Sequence, residues 1–154
     1  MRDLYFEDLK IGDRFETAGI TITRSQIIDY ALTYDPQPFH LDEEAAKSSI
    51  FGGLVASGFM TAALTFRLFR DTGVLTAANL GGAGGEDLVW PNPVRPGDTI
   101  RAVVEVLSKQ QSRSRPERGR VRFGYTTLNQ HGQIVLQMTL IHIVGLRRPG
   151  MVEV

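Results

Sequence analysis

Apolar and polar positions alternate differently in the two halves of the chain. Residues 14–24, RFETAGITITR, are rich in Thr, Ile and Phe and predict a first strand. Residues 25–34 place apolar side chains at helical spacing and predict a helix with Ser25 as its N-cap. A second, shorter helix is predicted to begin at Asp42. The first half therefore predicts one strand followed by helices.

The longest helical pattern is FMTAALTFRLFRDTG, residues 59–73. Its apolar side chains occupy most faces, which predicts a largely buried helix that stops at Gly73. The glycine-rich stretch 81–90 lacks the Lys-Ser/Thr of a phosphate loop and predicts a flexible turn. Runs of β-branched residues separated by turns predict four strands, at 87–94, 99–111, 120–129 and 133–147. This order predicts an α+β fold in which an antiparallel meander curves around the long helix.

Length and composition limit the classes of function. The 154 residues predict a single domain, 1–154, and 17 basic residues balance 17 acidic ones. A neutral balance argues against general binding of nucleic acid or of an anionic membrane. The absence of cysteine excludes disulfides, thiolate metal sites and a cysteine nucleophile. With no signal peptide or membrane-spanning run, we expect a soluble, cytoplasmic protein. The tail RRPGMVEV is predicted to fray.

The segment DPQPFHLD, residues 35–42, carries the first candidate chemistry. Asp35 and His40 lie on one loop that two prolines stiffen, and histidine is the usual general acid or base near neutral pH. Without a serine or cysteine nucleophile motif, water is the group that such a pair would activate. The alternative is structural, because Asp before Pro commonly ends a helix and a lone histidine near apolar residues is usually structural. The sequence lacks the clustered ligands of a metal site.

The segment FGGLVASGF, residues 51–59, precedes the long helix. Ser57 is a suitable N-cap for that helix. Glycines such as Gly53 and Gly58 either admit a ligand or only permit tight turns. Trp90 is equally compatible with the core and with the wall of a cleft. A run of arginines is interpreted as a solvated hairpin tip rather than a phosphate site, namely Arg113, Arg115, Arg118 and Arg120.

Three stretches together resemble the MaoC-like, or hydratase-2, family: YALTYDPQPFHLDEEAA, FGGLVASGFMTAAL and LVWPNPVRPGDTI. The resemblance covers roughly residues 5–147. It implies a hot-dog fold, in which an antiparallel β-sheet wraps around a long central helix. It also implies R-specific hydration of a trans-2-enoyl thioester, usually of coenzyme A, or the reverse dehydration of a 3-hydroxyacyl thioester.

The resemblance assigns roles to individual residues. Asp35 and His40 match the family's pair that handles the water, without showing which is base and which is acid. Gly58 matches the backbone donor to the thioester oxygen, and Ser57 and Gly53 are expected near the substrate. No metal or redox cofactor is implied, since coenzyme A is part of the substrate, and a homodimer or dimer of dimers is expected. Gln37 stands where many members have Asn, and Ser57 where many have His.

Two rival functions follow from the same fold. A hot-dog acyl-CoA thioesterase would direct the water at the carbonyl carbon and would be favoured by a carboxylate on the central helix. Residues 59–70 contain no Asp or Glu, and Asp71 comes only at the end. A non-catalytic acyl-thioester-binding subunit is the second rival, and the presence of both Asp35 and His40 counts against it. The length, branching and carboxylation of the acyl group stay open.

Overall fold

A computed structural model describes residues 3–147 of the chain. The tail was predicted to fray from Arg147 onward. Arg147 is instead held, with Nη2 2.6 Å from Asp8 Oδ2, and residues 148–154 lie outside the described range. The helices are α1 (Arg24–Tyr34), α2 (Pro38–Leu41), α3 (Glu43–Lys47) and α4 (Gly58–Asp71). The strands are β1 (Arg14–Glu16), β2 (Ile20–Thr21), β3 (Asn79–Val89), β4 (Thr99–Gln111), β5 (Arg118–Leu128) and β6 (Ile134–Gly145). None of the described helices is long and apolar enough to cross a membrane.

All strand pairs are antiparallel, and the sheet order is β1-β4-β5-β6-β3, with β2 also paired to β4. Strands β4, β5 and β6 form the predicted meander. The predicted order is wrong for β3, which pairs with β6 rather than with β4. Residues 90–98 contain three prolines, which cannot donate to a ladder, and this segment carries the chain from β3 back to the start of β4.

Strand β3 begins earlier than predicted. Residues 81–85, interpreted as part of a flexible turn, pair with β6, so that Gly82 faces His142 and Gly85 faces Leu140. Most side chains of β3 are exposed, and the backbone ladder rather than side-chain packing holds the strand. Glycine can supply such a ladder without any apolar pattern, so a pattern of side chains does not detect it. Beyond Val89, Pro91 and Pro93 end the strand.

The first strand and the first helix also differ from prediction. Residues 17–19 interrupt the predicted strand, because the Thr17 hydroxyl accepts the Ala102 N–H at 2.9 Å in place of a ladder bond. Helix α1 is capped by Thr23 rather than by Ser25. Thr23 Oγ1 accepts the Gln26 N–H while the Gln26 side chain accepts the Thr23 N–H, which is a complete capping box.

Helix α4 begins and ends as the sequence predicts. Ser57 is its N-cap and accepts the Phe59 N–H at 3.3 Å, and Gly73 follows the C-cap with a left-handed φ of +75°. The prediction that most faces of α4 are buried was wrong, since Phe59 is 59% and Phe66 36% exposed. One stripe is buried, formed by Met60, Thr61, Thr65, Leu68 and Phe69.

The core lies between this stripe and the concave face of the sheet. The Phe69 ring is 5.6 Å from both Phe123 and Tyr125, measured between ring centroids. A buried hydrogen bond of 2.7 Å joins Thr65 on α4 to Thr127 on β5. Removing a core ring such as that of Phe69 typically costs about 3–5 kcal/mol. A sheet wrapped around one long helix is the hot-dog architecture, so the predicted α+β fold class is confirmed.

A buried polar chain crosses this core. Tyr125 hydroxyl lies 3.0 Å from His142 Nε2, and His142 Nδ1 lies 3.4 Å from Asn79 Oδ1. Since the amide oxygen only accepts, Nδ1 carries the proton and Nε2 accepts from Tyr125. Burial, with a contribution from the charge of Arg70, lowers the pKa of His142 to about 4, and burial raises the pKa of Tyr125. His142 is therefore a neutral, structural imidazole at neutral pH.

The pKa of His142 predicts a pH dependence of stability. The unfolded chain takes up this proton near the ordinary pKa of 6.5, whereas the folded chain does so only at about 4. The contribution of His142 to the free energy of unfolding is therefore fully present above about pH 6.5. As the pH falls from there to about 4, that contribution is lost, and the free energy of unfolding decreases by about 3 kcal/mol. Urea unfolding at several pH values and constant protein concentration measures the loss. His142→Gln, which does not titrate, should remove that part of the slope; an identical slope in both proteins would contradict the assignment.

Candidate active site

Asp35 ends helix α1 and is held there by its neighbours. Its backbone N–H donates to the Ala31 carbonyl at 3.0 Å, which makes it the C-cap. Gln37 donates twice, from its backbone N–H to the Asp35 carbonyl at 2.8 Å and from Nε2 to Oδ1 at 2.7 Å. One carboxylate oxygen is thereby taken by an amide donor, and Oδ2 is directed at His40. Gln37 thus supplies a side-chain amide at the position where many members of the family that this chain resembles have Asn.

His40 lies in the one-turn helix α2, which replaces the second half of the predicted irregular loop. Pro38 starts this turn, a position where proline costs no hydrogen bond. The imidazole Nδ1 lies 2.6 Å from the Val55 carbonyl oxygen, and the Val55 N–H donates to the Phe39 carbonyl at 3.1 Å. Because a carbonyl only accepts, Nδ1 carries the proton. The residue is 5% exposed, so the ring has little freedom to turn.

The two side chains meet at the cleft. His40 Nε2 lies 3.3 Å from Asp35 Oδ2, and their side chains are 6% and 15% exposed. Burial raises the pKa of Asp35, but the side chains of Ser57 and Gln37 and the charge of His40 outweigh it, so that the pKa lies below its ordinary value. The carboxylate is therefore ionised at neutral pH.

This geometry leaves a site for one donor molecule. In its neutral form, with the proton on Nδ1, His40 presents the lone pair of Nε2 beside the acceptor Oδ2 of Asp35. A water molecule beside the pair can donate a hydrogen bond to either of these acceptors. A protonated imidazole would instead donate directly to the carboxylate. The pair can therefore take up one proton and return it, which is the requirement for general acid–base chemistry.

The first turn of α4 adds a backbone donor. Ser57 is fully buried, and its hydroxyl oxygen accepts the N–H of Phe59 while its side chain also interacts with Asp35. The Gly58 N–H has no intrahelical acceptor because it lies in the first turn, and within residues 3–147 no other acceptor meets it. The N-terminal end of a helix favours negative charge. Gly58 thus offers a free donor at a position suited to an oxyanion.

These residues line one cleft of about 400 Å³. Asp35, His40 and Gly58 share it with apolar side chains, chiefly Phe39, Phe51, Phe59, Trp90, Val94 and Val135. A mostly apolar wall with a few convergent polar groups is typical of a small-molecule site. A depression of about 350 Å³ on the sheet, beside Arg14 and Glu105, contains no histidine.

The structure brings together most, but not all, of the residues predicted from sequence. Asp35, His40 and Gly58 line the cleft, and Ser57 lies directly behind it. Gly53 lies outside the cleft, in a neighbouring depression with Arg24, Lys47 and Arg95. The four arginines at and after the β4–β5 hairpin do not line the cleft, in agreement with their interpretation as a solvated tip. Within residues 3–147, no group of three His, Asp or Glu residues is arranged to hold a metal ion.

Sequence reasoning missed the groups that orient the site. The Val55 carbonyl is a backbone atom, so its residue type carries no signal. Trp90, which was compatible with core or cleft, is a half-exposed wall of the cleft. Asn92 donates to the Ile134 carbonyl at 2.8 Å and holds the segment 90–94 against β6. A polar residue between two prolines is a weak signal that could have suggested this anchor.

Comparisons with known proteins agree with this fold. The family model described as a MaoC like domain matches residues 7–128. A solved MaoC-like dehydratase from Rhodospirillum rubrum is 46% identical, has a TM-score of 0.86, and is aligned over 94% of this chain and 99% of that one. The (R)-specific enoyl-CoA hydratase of Rhodospirillum rubrum is 32% identical over 86% of both proteins. The 3-hydroxybutyryl-CoA dehydratase of Methylorubrum extorquens is 34% identical over 82% of this chain and 75% of its own length.

Ser57→Ala tests the link between the helix cap and the carboxylate. Loss of the cap should cost about 1 kcal/mol of stability, and loss of the hydroxyl should raise the pKa of Asp35 toward its ordinary value. Thermal unfolding measures the first effect, and NMR titration of the Asp35 carboxyl carbon measures the second. Thr23→Ala is the matched control, because it removes the cap of α1 and should leave the pKa of Asp35 unchanged. An equal pKa in both variants would contradict the link.

Proposed function

The chain belongs to the MaoC-like family, and from that premise we propose that it catalyses R-specific hydration of a trans-2-enoyl-CoA thioester, or the reverse dehydration of a 3-hydroxyacyl thioester. The observation that carries this proposal is the 3.3 Å pair of His40 and Asp35 in a cleft that Gly58 also lines. Relatives named as enoyl-CoA hydratase and 3-hydroxybutyryl-CoA dehydratase support the reaction class.

The water step follows from the acceptor pair. A water molecule donates a hydrogen bond to the pair, at Asp35 Oδ2 or His40 Nε2, which leaves an oxygen lone pair directed into the cleft. As its oxygen bonds to C3 of the enoyl group, one O–H bond of the water breaks and its proton passes to the pair, while the C2=C3 electrons move toward the thioester and negative charge develops on the thioester oxygen. A proton held by the pair then goes to C2, so that H and OH have been added and no other reactant is consumed. General acid–base catalysis of this kind is typically worth about 10²–10⁴-fold.

The Gly58 amide is the group that faces the developing charge. Its N–H is a free donor at the N-terminal end of α4, and an amide placed in advance loses nothing to reorganisation during the reaction. A donor of this type typically contributes about 10²–10³-fold in kcat. The proposal therefore needs no metal or redox cofactor, and coenzyme A enters only as part of the substrate.

The surface next to the cleft suits a carrier that bears phosphate. Arg24, Lys47 and Arg95 line the neighbouring depression together with a single carboxylate, that of Glu43. Arg24 pairs with Glu43 and Lys47 pairs with Glu44, whereas no described carboxylate pairs with the Arg95 guanidinium. That guanidinium donates to the Phe51 carbonyl at 2.7 Å, and Phe51 itself lines the cleft. This charge arrangement supports coenzyme A as the carrier.

The cleft favours hydration over thioester hydrolysis. Helix α4 presents no Asp or Glu to the cleft, and its only carboxylate, Asp71, lies at the far end, exposed and paired with Arg67 at 3.5 Å. A thioesterase that uses a helix carboxylate therefore lacks its base here. The oriented Asp35 and His40 also count against a cleft that only binds an acyl thioester.

The described surface supports a homodimer. Strand β3 pairs only with β6, so the other edge of an 11-residue strand is without a partner in the described part of the single chain. Long free edges are normally covered or paired. Exposed apolar side chains accompany this edge and α4, namely Leu80, Leu88, Val89, Phe59 and Phe66. Light scattering should give twice 17.1 kDa or a multiple of that dimer, and a monomer at micromolar concentration would contradict the proposal.

The reaction assay uses crotonyl-CoA and follows loss of the enoyl-thioester absorbance, with a thiol reagent in a parallel sample. Loss of the band without free thiol, together with the R enantiomer of the 3-hydroxy product, is the expected result. Release of free thiol would favour the thioesterase. If neither loss of the band nor release of thiol occurs with crotonyl, longer, branched or dicarboxylic enoyl thioesters, the proposed activity is contradicted.

Substitution of the pair should abolish most turnover without unfolding the protein. Asp35→Asn and His40→Ala should each lower kcat by about 10²–10⁴-fold, because each removes one acceptor for the water. Asp29→Asn on the exposed side of α1 and His131→Ala in the β5–β6 turn are matched controls with little expected effect. Circular dichroism checks the fold. A near-native rate in Asp35→Asn would exclude its assigned role.

A further inference from the structure

We propose that Trp90 is a positioning residue that holds Gly58 in place at the N-terminal end of α4. Residue 58 must then be glycine, because the Trp90 ring occupies the space that a side chain at this position would need. This inference rests on the proposed function only where it concerns kcat. The contact between the two residues can be tested without any turnover.

The indole covers the Cα of Gly58. A Cβ built on Gly58 would lie 2.3 Å from Cε2, 2.6 Å from Nε1 and 2.7 Å from Cδ2 of Trp90. Such distances are shorter than real Cβ contacts, so no residue with a side chain fits while the ring stays. The ring is also tied to the same residue by a hydrogen bond, since Trp90 Nε1 donates to the Gly58 carbonyl oxygen at 2.9 Å.

The position of the indole is set from outside the helix. Asn92 fixes the segment 90–94 to β6 through the Ile134 carbonyl, and the Ala56 N–H donates to the Val94 carbonyl at 2.8 Å. The Phe59 ring meets the indole edge-on, with centroids 5.5 Å apart. The loop between β3 and β4 is therefore attached both to the sheet and to the segment that enters α4, and it delivers the indole to Gly58.

This contact determines how well the Gly58 amide can act. The first turn of a helix is the part that frays most readily, because its N–H groups lack intrahelical partners. Ser57 holds the turn through the Phe59 N–H, and Trp90 holds it through the Gly58 carbonyl and through ring contact. A donor to an oxyanion is effective only when its position is set before the reaction. Loss of the indole should therefore lower kcat more than it changes KM.

A requirement for glycine at position 58 has a second explanation, and the experiment must distinguish it from the clash with Trp90. Glycine could be needed so that the thioester oxygen can approach the amide. In that case, a methyl group at position 58 would harm the enzyme whether or not Trp90 is present. If the indole imposes the requirement, the two substitutions will be strongly coupled.

The test is a double-mutant cycle of Gly58→Ala and Trp90→Ala, read by kcat, KM and the free energy of unfolding. Gly58→Ala alone should lower kcat about 100-fold and Trp90→Ala alone about tenfold, with KM within about threefold of wild type. The double variant should be at least about tenfold more active than Gly58→Ala, because the clash is gone. Trp90→Phe keeps a ring but lacks the N–H, and should recover part of the loss of Trp90→Ala. If Gly58→Ala lowers kcat by the same factor in wild type and in the Trp90→Ala variant, the proposal is overturned.

Stability and fluorescence give readouts that do not depend on the reaction. Gly58→Ala should lower the unfolding temperature with Trp90 present and have a clearly smaller effect in the Trp90→Ala background. Trp90 is the single tryptophan of the chain, so intrinsic tryptophan emission reports on the surroundings of this one indole. Saturated butyryl-CoA, which cannot be hydrated, should shift that emission in a saturable way. If wild type hydrates no enoyl thioester, the proposed function fails, while additive stability effects would overturn the positioning role separately.

Discussion

The hydrogen bond between His40 Nδ1 and the Val55 carbonyl decides what the rest of the cleft can do. A carbonyl oxygen cannot donate, so this 2.6 Å contact places the proton on Nδ1 and leaves Nε2 as the nitrogen that faces Asp35. Burial of the ring prevents the alternative orientation. Gln37 fixes the other partner by holding Oδ1, and the remaining oxygen meets Nε2. Two acceptors therefore converge on one point, at the side of a cleft with a free amide donor.

The same helix serves stability and chemistry at its two ends. Toward its C-terminus, Phe69 packs between Phe123 and Tyr125 and fixes α4 in the concave sheet. At its N-terminus, Ser57 and Gly58 lie against the cleft, and Trp90 reaches them from the loop that follows β3. Because the sheet anchors both the helix and that loop, the position of the Gly58 amide is determined by the fold. The exposed fraction of Asp35 is small enough to strengthen its interactions and large enough to admit water.

How far the sequence predicts this site depends on the kind of atom involved. Asp35, His40 and Ser57 were predictable because their side chains have characteristic chemistry and stand beside prolines and a helix start. The Val55 carbonyl and the Gly58–Trp90 contact were not, since backbone atoms and long-range packing leave no local pattern. Prediction of the fold was limited in the same way, by features that depend on the backbone. The strands with β-branched runs were found, whereas β3 was interpreted in part as a turn because a glycine-rich edge strand is held by its backbone ladder alone.

In the proposed reaction, Asp35 and His40 direct one water molecule to C3 of an enoyl thioester. The most direct measurement is mass spectrometry of the product formed from crotonyl-CoA in water enriched in heavy oxygen. The expected product carries one heavy oxygen in the 3-hydroxyl group of an intact thioester, and Asp35→Asn should form almost none of it. Heavy oxygen in a free carboxylate, with coenzyme A released and no 3-hydroxyl formed, would contradict it and identify attack at the carbonyl carbon instead.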